Sequence, residues 1–214
     1  MKLVYFTGRG LAETSRILFA YGGEEYEDFR YPLDVIDFAT HNMVKEEFDK
    51  DKESGLLVKS MNKLPYLEVD GNNVICQSKS IERFLGRRFN LMGDNETEHA
   101  RIDAITECVR DLKDLYQGVR KDEDKETANI EWFTVTLVDK LKLLELQLSD
   151  DYCVGLRTSL ADIVLFTFIT QFFDNKEASL NATLATPKIR KIVDNVSSND
   201  NIRKWLNTRP DTVF

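Results

Sequence analysis

The stretch from Asn62 to Ser80 constrains the fold of this 214-residue chain more tightly than any other. Leu64 to Val69 is apolar and β-prone, Asp70-Gly71-Asn72-Asn73 is turn chemistry, and Val74 to Cys76 resumes the apolar run. The pattern predicts two short strands joined by a tight turn. Pro65 stands at the entrance of the first strand, where its missing N–H costs the ladder least. That placement predicts an edge or strand start whose backbone is free to pair with something other than protein. Gln77-Ser78 follows, and then Ile81, Phe84 and Leu85 recur on one helical face. Ser78 is the expected N-cap, and Glu82 lies early enough to favour the helix dipole. A helix start with a polar side chain and a hydroxyl beside it suits an anion. Taken alone, the same residues describe a hairpin and a well-capped helix.

Upstream of the hairpin, Leu3-Val4-Tyr5-Phe6 is a near-continuous apolar run, so Lys2 to Phe6 reads as a strand of a covered sheet. Thr7-Gly8-Arg9-Gly10 is a loop. From Leu11 a helix follows, with Ala12, Ile17, Leu18 and Tyr21 at helical spacing and Gly22-Gly23 as its stop. Glu25 to Tyr31 alternates as a second strand, which gives a βαβ-ββα order. Tyr5 is the first candidate for chemistry. It closes a strand just before a helix start, and a phenol there can donate a hydrogen bond to a sulfur, favouring thiolate over thiol. A half-buried strand aromatic is the alternative. Gly8 and Gly10 form no dinucleotide fingerprint, because the third glycine and the acidic follower are missing.

Asn90 to Asn95 is polar and glycine-bearing, a linker between two periodic segments. Everything beyond it reads as helical. Glu96 to Arg120 carries Ile102, Ile105, Val109, Leu112 and Leu115 at helical intervals, and a second long helix is predicted from Lys125 to Leu148. Ser159 followed by Asp162 is a capping box with aspartate in place of glutamate, opening an apolar helix through Phe173. Pro187 starts another helix at a favourable first-turn position.

A formal net charge of −8 argues against general binding to nucleic acid or an anionic membrane, both of which want basic patches. No apolar run is long enough to span a bilayer, and the amino end enters a strand pattern without a signal-peptide layout. Cys76, Cys108 and Cys153 are far apart and lack metal spacing, which predicts reduced, mostly buried thiols in a cytoplasmic protein. His41 and His99 are too few and too isolated for a metal centre.

The run Lys63-Leu64-Pro65-Tyr66-Leu67-Glu68-Val69-Asp70-Gly71, with Gln77-Ser78 and then Ile81, Arg83, Phe84 and Leu85, resembles the glutathione-binding half of a cytosolic glutathione transferase. The start of the chain, with Arg9-Gly10, Ala12-Glu13 and Arg16, resembles the sigma-type branch, which includes glutathione-dependent prostaglandin D synthases and cephalopod lens crystallins. Trp205 to Arg209-Pro210, with Thr212, resembles its usual ending. The resemblance implies an α/β thioredoxin-like N-terminal domain over residues 1–88, a linker at 89–95, and an all-α C-terminal helical domain over 96–214 that carries a pocket for the electrophile. It implies that Tyr5 steadies the thiolate of glutathione, the co-substrate, with no metal. A cis Leu64–Pro65 bond would present the Leu64 backbone to the cysteinyl unit, with Asn62 and Lys63 along the same edge. Gln77 and Ser78 would receive the γ-glutamyl carboxylate, and Asp103 would reach across a homodimer to the partner's glutathione amine. The implied activity is conjugation of glutathione to small apolar electrophiles, with isomerase or peroxidase side activity open. The competing reading is a crystallin-like or ligand-carrier protein on the same scaffold.

Two departures matter. The sigma-type pattern often carries an arginine directly after Arg9-Gly10, and this chain has Leu11. The connection from Tyr31 to Met61 is longer than is usual in the family. Within it, Phe38 or Phe48 is the candidate to replace the tryptophan that flanks glutathione, and Lys45 or Lys52 the candidate to meet its glycyl carboxylate. At the far end, Phe214 is placed to fold back over the electrophile pocket.

Overall fold

The computed structural model describes residues 1–37, 42–71 and 73–212. Phe38, His41, Asn72 and Phe214 therefore lie outside the described residues. The chain divides into two compact units, one formed by Met1–Leu85 with Trp205–Phe214, the other by Gly86–Lys204. The division falls between Leu85 and Gly86, and the last residues of the chain join the first unit.

The first unit is built on β1 (Lys2–Phe6), which pairs in parallel with β2 (Glu27–Tyr31) and antiparallel with β5 (Tyr66–Glu68). Antiparallel β6 (Val74–Cys76) completes a sheet of order β2-β1-β5-β6. Leu3 and Val4 are both fully buried, so both faces of β1 are covered. Val4 packs with Tyr31, Phe48, Leu57 and Tyr66. Alternation sends Leu3 and Tyr5 to the opposite face, the one covered by α1 (Glu13–Gly22). Gly23 ends α1 in the left-handed region at φ 64°, its N–H bonding Ala20 O while Glu24 N–H reaches Phe19 O, as in a Schellman stop.

The hairpin forms as expected. Gly71 takes φ 80°, and the Asp70 carboxylate accepts the Asn73 N–H at 3.0 Å, which ties the turn across its base. The long 32–61 connection folds into a two-stranded ribbon, β3 (Asp34–Asp37) with β4 (Asn42–Val44), then α2 (Glu46–Glu53) and a 3₁₀ turn over Val58–Ser60. After β6 comes α3 (Ser78–Arg88), whose apolar residues Ile81 and Leu85 are fully buried.

The second unit is helical. Its main elements are α4 (Glu96–Val119), α5 (Lys125–Glu131), α6 (Leu137–Glu145), α7 (Leu160–Thr167), α8 (Lys176–Asn181), α9 (Pro187–Ser197) and the start of α10 (Asp200–Thr208). The single helix expected over Lys125 to Leu148 is interrupted by a π turn at Trp132–Thr136, and the apolar helix after Ser159 passes into another at Phe168–Phe172. The wide turns bring adjacent aromatics into one cluster around Tyr116, with Phe173 at 4.8 Å and Trp132 at 5.3 Å between ring centroids. The 89–95 segment is held rather than loose: Arg157 donates to the Asn90 carbonyl and to Asp94 at 2.7 Å, and Leu160 N–H bonds Leu91 O. Of the three thiols, Cys153 is buried, Cys76 half-buried and Cys108 exposed, so the expectation of mostly buried cysteines is met fully only at Cys153. Among the described residues no helix is long and apolar enough to cross a membrane, and no group of acidic, histidine or cysteine side chains has the makings of a metal site.

The capping box at Ser159 is the best anchored of these helix starts. Asp162, buried, accepts the Ser159 N–H at 2.9 Å and the Cys153 N–H at 2.8 Å, so one carboxylate satisfies two buried backbone donors. Replacing Asp162 by alanine strands both donors and is expected to lower the unfolding free energy by about 2 to 4 kcal/mol in denaturant titrations.

Candidate active site

Strand register collects the candidate residues at one end of the sheet. Val4 pairs with Tyr66 across β1 and β5, and Tyr66 pairs with Cys76 across β5 and β6. One step further along each strand lie Tyr5, Pro65 and Gln77. Tyr5 and Gln77 stand two strand spacings apart, about 10 Å, which is the length of an extended tripeptide of about 3.5 Å per residue.

Tyr5 is held in place through its oxygen. The Leu11 N–H donates to Tyr5 Oη at 3.2 Å, which occupies an acceptor position and leaves the phenol's own hydrogen to donate elsewhere. Burial pushes the Tyr5 phenol above its ordinary range, against the opposing pull of the Leu11 hydrogen bond and of Arg16. The phenol therefore stays protonated across the neutral range and acts as a donor. Gly10 stands against the ring: a Cβ there would lie 2.5 Å from Tyr5 Oη, and its φ is 40°. Leu11 meets the phenol through its backbone N–H, and the residue is 54% exposed.

At the start of β5 the Leu64–Pro65 peptide is cis, and Leu64 lies just outside the paired ladder, which begins at Tyr66. Met61 and Asn62 both adopt left-handed backbone, at φ 58° and 57°, and Asn62 N–H bonds the Leu57 carbonyl. The same bend buries Asn62 Oδ1 without a hydrogen-bond partner among the described residues. An orphaned acceptor beside an open strand end suits a ligand that brings N–H donors, as a peptide does. Lys63 is exposed next to it.

Gln77 also takes a left-handed conformation, φ 73°, and its carbonyl accepts from Ser80 and Ile81. Gln77 is therefore the cap of α3 and Ser78 the first helical residue, one position later than the expected N-cap role for Ser78. The reason is geometric: the left-handed residue that ends β6 turns the chain straight into the helix, and its carbonyl starts the helical hydrogen bonds. The first turn of α3, with its free N–H groups, follows directly on the end of β6. Glu82 lies past the first turn, which carries no acidic residue; it is buried and paired with Lys79 at 2.9 Å.

One expectation falls away. Phe48 is a core residue, edge-on to Phe6 at 5.2 Å and to Tyr31 at 5.7 Å, because the amphipathic turn of α2 buries it beneath the sheet. It is not the aromatic wall of a ligand site. Lys45 is engaged with Asp49 at 2.8 Å and sits over the Phe48 ring, while Lys52 is exposed on α2. Asp103 lies half-buried on α4 in the helical unit. A buried cluster around Arg16 and Glu13 received no functional reading from sequence, although Arg16 lies 5.9 Å from the Tyr5 ring. Its partners, Asp28, Trp205 and Arg209, are scattered over the chain, so no local spacing announces it.

A βαβ-ββα sheet with a cis proline opening its third strand, a phenol at the end of its first, and a helical unit after it defines a thioredoxin-fold protein with an appended all-α domain. Comparison with known proteins narrows the class. Residues 1–87 match the family model for the glutathione S-transferase N-terminal domain, and residues 110–209 match that for the C-terminal domain. The chain is 31% identical to glutathione S-transferase 1 of Ascaris suum and 33% identical to hematopoietic prostaglandin D synthase of Gallus gallus, in each case over 100% of this chain and 98% of the relative. The crystal structure of monomeric Na-GST-3 from Necator americanus superposes with a TM-score of 0.82 at 28% identity, covering 100% of this chain and 98% of that one. This chain belongs to the glutathione S-transferase family.

The close approach of Gly10 to the phenol generates a sharp test. Gly10→Ala forces either the ring or the loop to move and places a side chain at positive φ, so glutathione turnover is expected to fall by about tenfold or more while stability drops by only about 1 to 2 kcal/mol. Turnover at saturating glutathione, measured beside the melting temperature, separates the two effects.

Proposed function

We propose that this protein is a sigma-like glutathione transferase that joins the thiolate of glutathione to small apolar electrophiles. The observation that carries the reading is the Tyr5 phenol, its oxygen fixed by the Leu11 N–H at 3.2 Å and its proton left to donate. Glutathione lies along the Leu64–Pro65 edge with its backbone groups on Leu64, flanked by Asn62 and Lys63. Its γ-glutamyl carboxylate meets Gln77, Ser78 and the first turn of α3. In that pose the sulfur receives the phenol's hydrogen bond, which stabilises the anion without taking its proton back. The helical unit presents the electrophile, and holding both reactants together supplies much of the rate gain. The identity to a hematopoietic prostaglandin D synthase supports the sigma-like assignment. The absence of a cation at Leu11 favours conjugation over a specialised isomerase.

Tyr5→Phe is expected to lower the conjugation rate with a generic aromatic electrophile by about one to two orders of magnitude, with glutathione affinity little changed. In the same variant, the ultraviolet thiolate band of bound glutathione should require a higher pH to appear. A wild-type protein that binds glutathione but shows no thiolate band below the free thiol's range would instead be a carrier or crystallin-like protein.

The assembly we propose is a cytoplasmic homodimer in which Asp103 meets the partner's glutathione amine. The Necator americanus relative is described as monomeric, so the point is worth measuring directly. Sedimentation should give a dimer, and Asp103→Asn should raise the KM for glutathione by about three- to tenfold with kcat nearly unchanged. A monomer with full glutathione affinity would remove Asp103 from the site.

A further inference from the structure

Tyr31 closes β2 and is almost wholly buried, and its two polar ends serve two different parts of the first unit. Its carbonyl accepts twice from Thr7, from the N–H at 2.8 Å and from Oγ1 at 3.1 Å, which holds the chain two residues beyond Tyr5. Its phenol donates to Asp51 Oδ2 on α2 at 2.6 Å. Burial, and then the bond to a carboxylate, push the phenol's pKa upward, so it remains a donor throughout the neutral range.

From Asp51 a series of short-range hydrogen bonds leads to the start of β5. The Asp51 carbonyl accepts the Leu56 N–H at 3.1 Å and Ser54 Oγ at 2.9 Å. The Leu57 carbonyl accepts the Ser60 N–H at 3.1 Å, Ser60 Oγ at 2.9 Å and the Asn62 N–H at 2.9 Å, and the Ser60 carbonyl accepts the Lys63 N–H at 3.2 Å. Asp51 to Lys63 is therefore one hydrogen-bonded piece, and Leu64 follows it directly.

Two kinds of contact seat that piece on the sheet. Phe48 and Leu57 are buried in the cluster with Val4, Tyr31 and Tyr66. Apolar burial keeps α2 down but is non-directional, so it fixes neither the rotation of the helix nor its slide along the sheet. A hydrogen bond is directional, and Asp51 lies three residues after Phe48 on the same face of α2. The Tyr31–Asp51 bond thus decides where α2 stops, and with it where the Leu64 backbone stands relative to Tyr5.

Resting on the reading that glutathione lies along the Leu64–Pro65 edge, we infer that Tyr31 and Asp51 are positioning residues for the reaction: their bond sets the place of the backbone edge that receives the tripeptide. They act through the Asn62–Leu64 segment. Thr7 is held by the Tyr31 carbonyl, which no change of side chain removes, so loss of the phenol leaves the Tyr5 end where it is. The two ends of the site are thereby separable: binding of the peptide depends on the bond, and activation of its sulfur does not.

Calorimetry gives the dissociation constant of glutathione in Tyr31→Phe, Asp51→Ala, Asp51→Asn and the double variant Tyr31→Phe/Asp51→Ala, beside kcat at saturating glutathione. Tyr31→Phe and Asp51→Ala are each expected to weaken binding about fivefold to tenfold, with kcat within about twofold of wild type. The double variant should bind no more weakly than either single variant, since both remove the same bond. Asp51→Asn keeps an oxygen to accept from Tyr31 and should bind within about twofold of wild type. A merely structural bond predicts lower melting temperatures with affinity unchanged, and that result overturns the inference. So do additive losses in the double variant, or an Asp51→Asn protein as weak as Asp51→Ala. Asp51 is only half-buried, so its variants keep the test decisive if Tyr31→Phe does not fold. A wild-type protein that does not bind glutathione would instead remove the reading of the Leu64–Pro65 edge itself.

Discussion

The register of β1 against its two neighbours decides where every candidate residue goes. Parallel pairing with β2 sets Tyr5 opposite Arg30, and antiparallel pairing with β5 sets Val4 opposite Tyr66. Side chains alternate along a strand, so a slip of one residue would carry the Tyr5 phenol to the face occupied by Phe48 and Leu57 and send Val4 toward α1. Leu3 and Val4 resist that slip together, because each is buried against its own face of the sheet. The same register ends β1, opens β5 and closes β6 at one level. The cis Leu64–Pro65 bond and the left-handed Gln77 therefore arrive beside Tyr5 although they come from separate parts of the sequence.

How much of this was legible in the sequence follows from how local each feature is. The Leu64–Cys76 hairpin, the stop at Gly23 and the Ser159–Asp162 capping box are each written within a few residues, and each was readable. Phe48 was not. In a run as charged as Lys45 to Glu53, a single phenylalanine fits a ligand wall as well as a core, and only Tyr31 and Phe6 decide between them. The π turns at Trp132 and Phe168 escaped for a related reason: helical periodicity reports the presence of a helix but not a one-residue widening that reaches a distant aromatic cluster. At α3 the cap moved from Ser78 to Gln77 because a left-handed glutamine is an unusual cap, which residue preferences alone do not anticipate. The Glu13–Arg16 cluster depends on Trp205 and Arg209, nearly two hundred positions away, and no spacing rule connects them.

Tyr5 serves as a donor only while it keeps its proton, and its surroundings divide that work. Burial alone raises the phenol's pKa and protects the O–H, whereas the Leu11 N–H and Arg16 pull the other way. A thiol ordinarily ionises below a phenol, so a field too weak to deprotonate Tyr5 is still enough to favour a thiolate over a thiol. Under the proposed function that difference is what lets one phenol remain a donor while the sulfur it meets gives up its proton. The Leu11 N–H then has a second part to play: by occupying an acceptor position on Tyr5 Oη it turns the phenol's own hydrogen outward, so the group the proposed ligand meets is a donor and not a second acceptor.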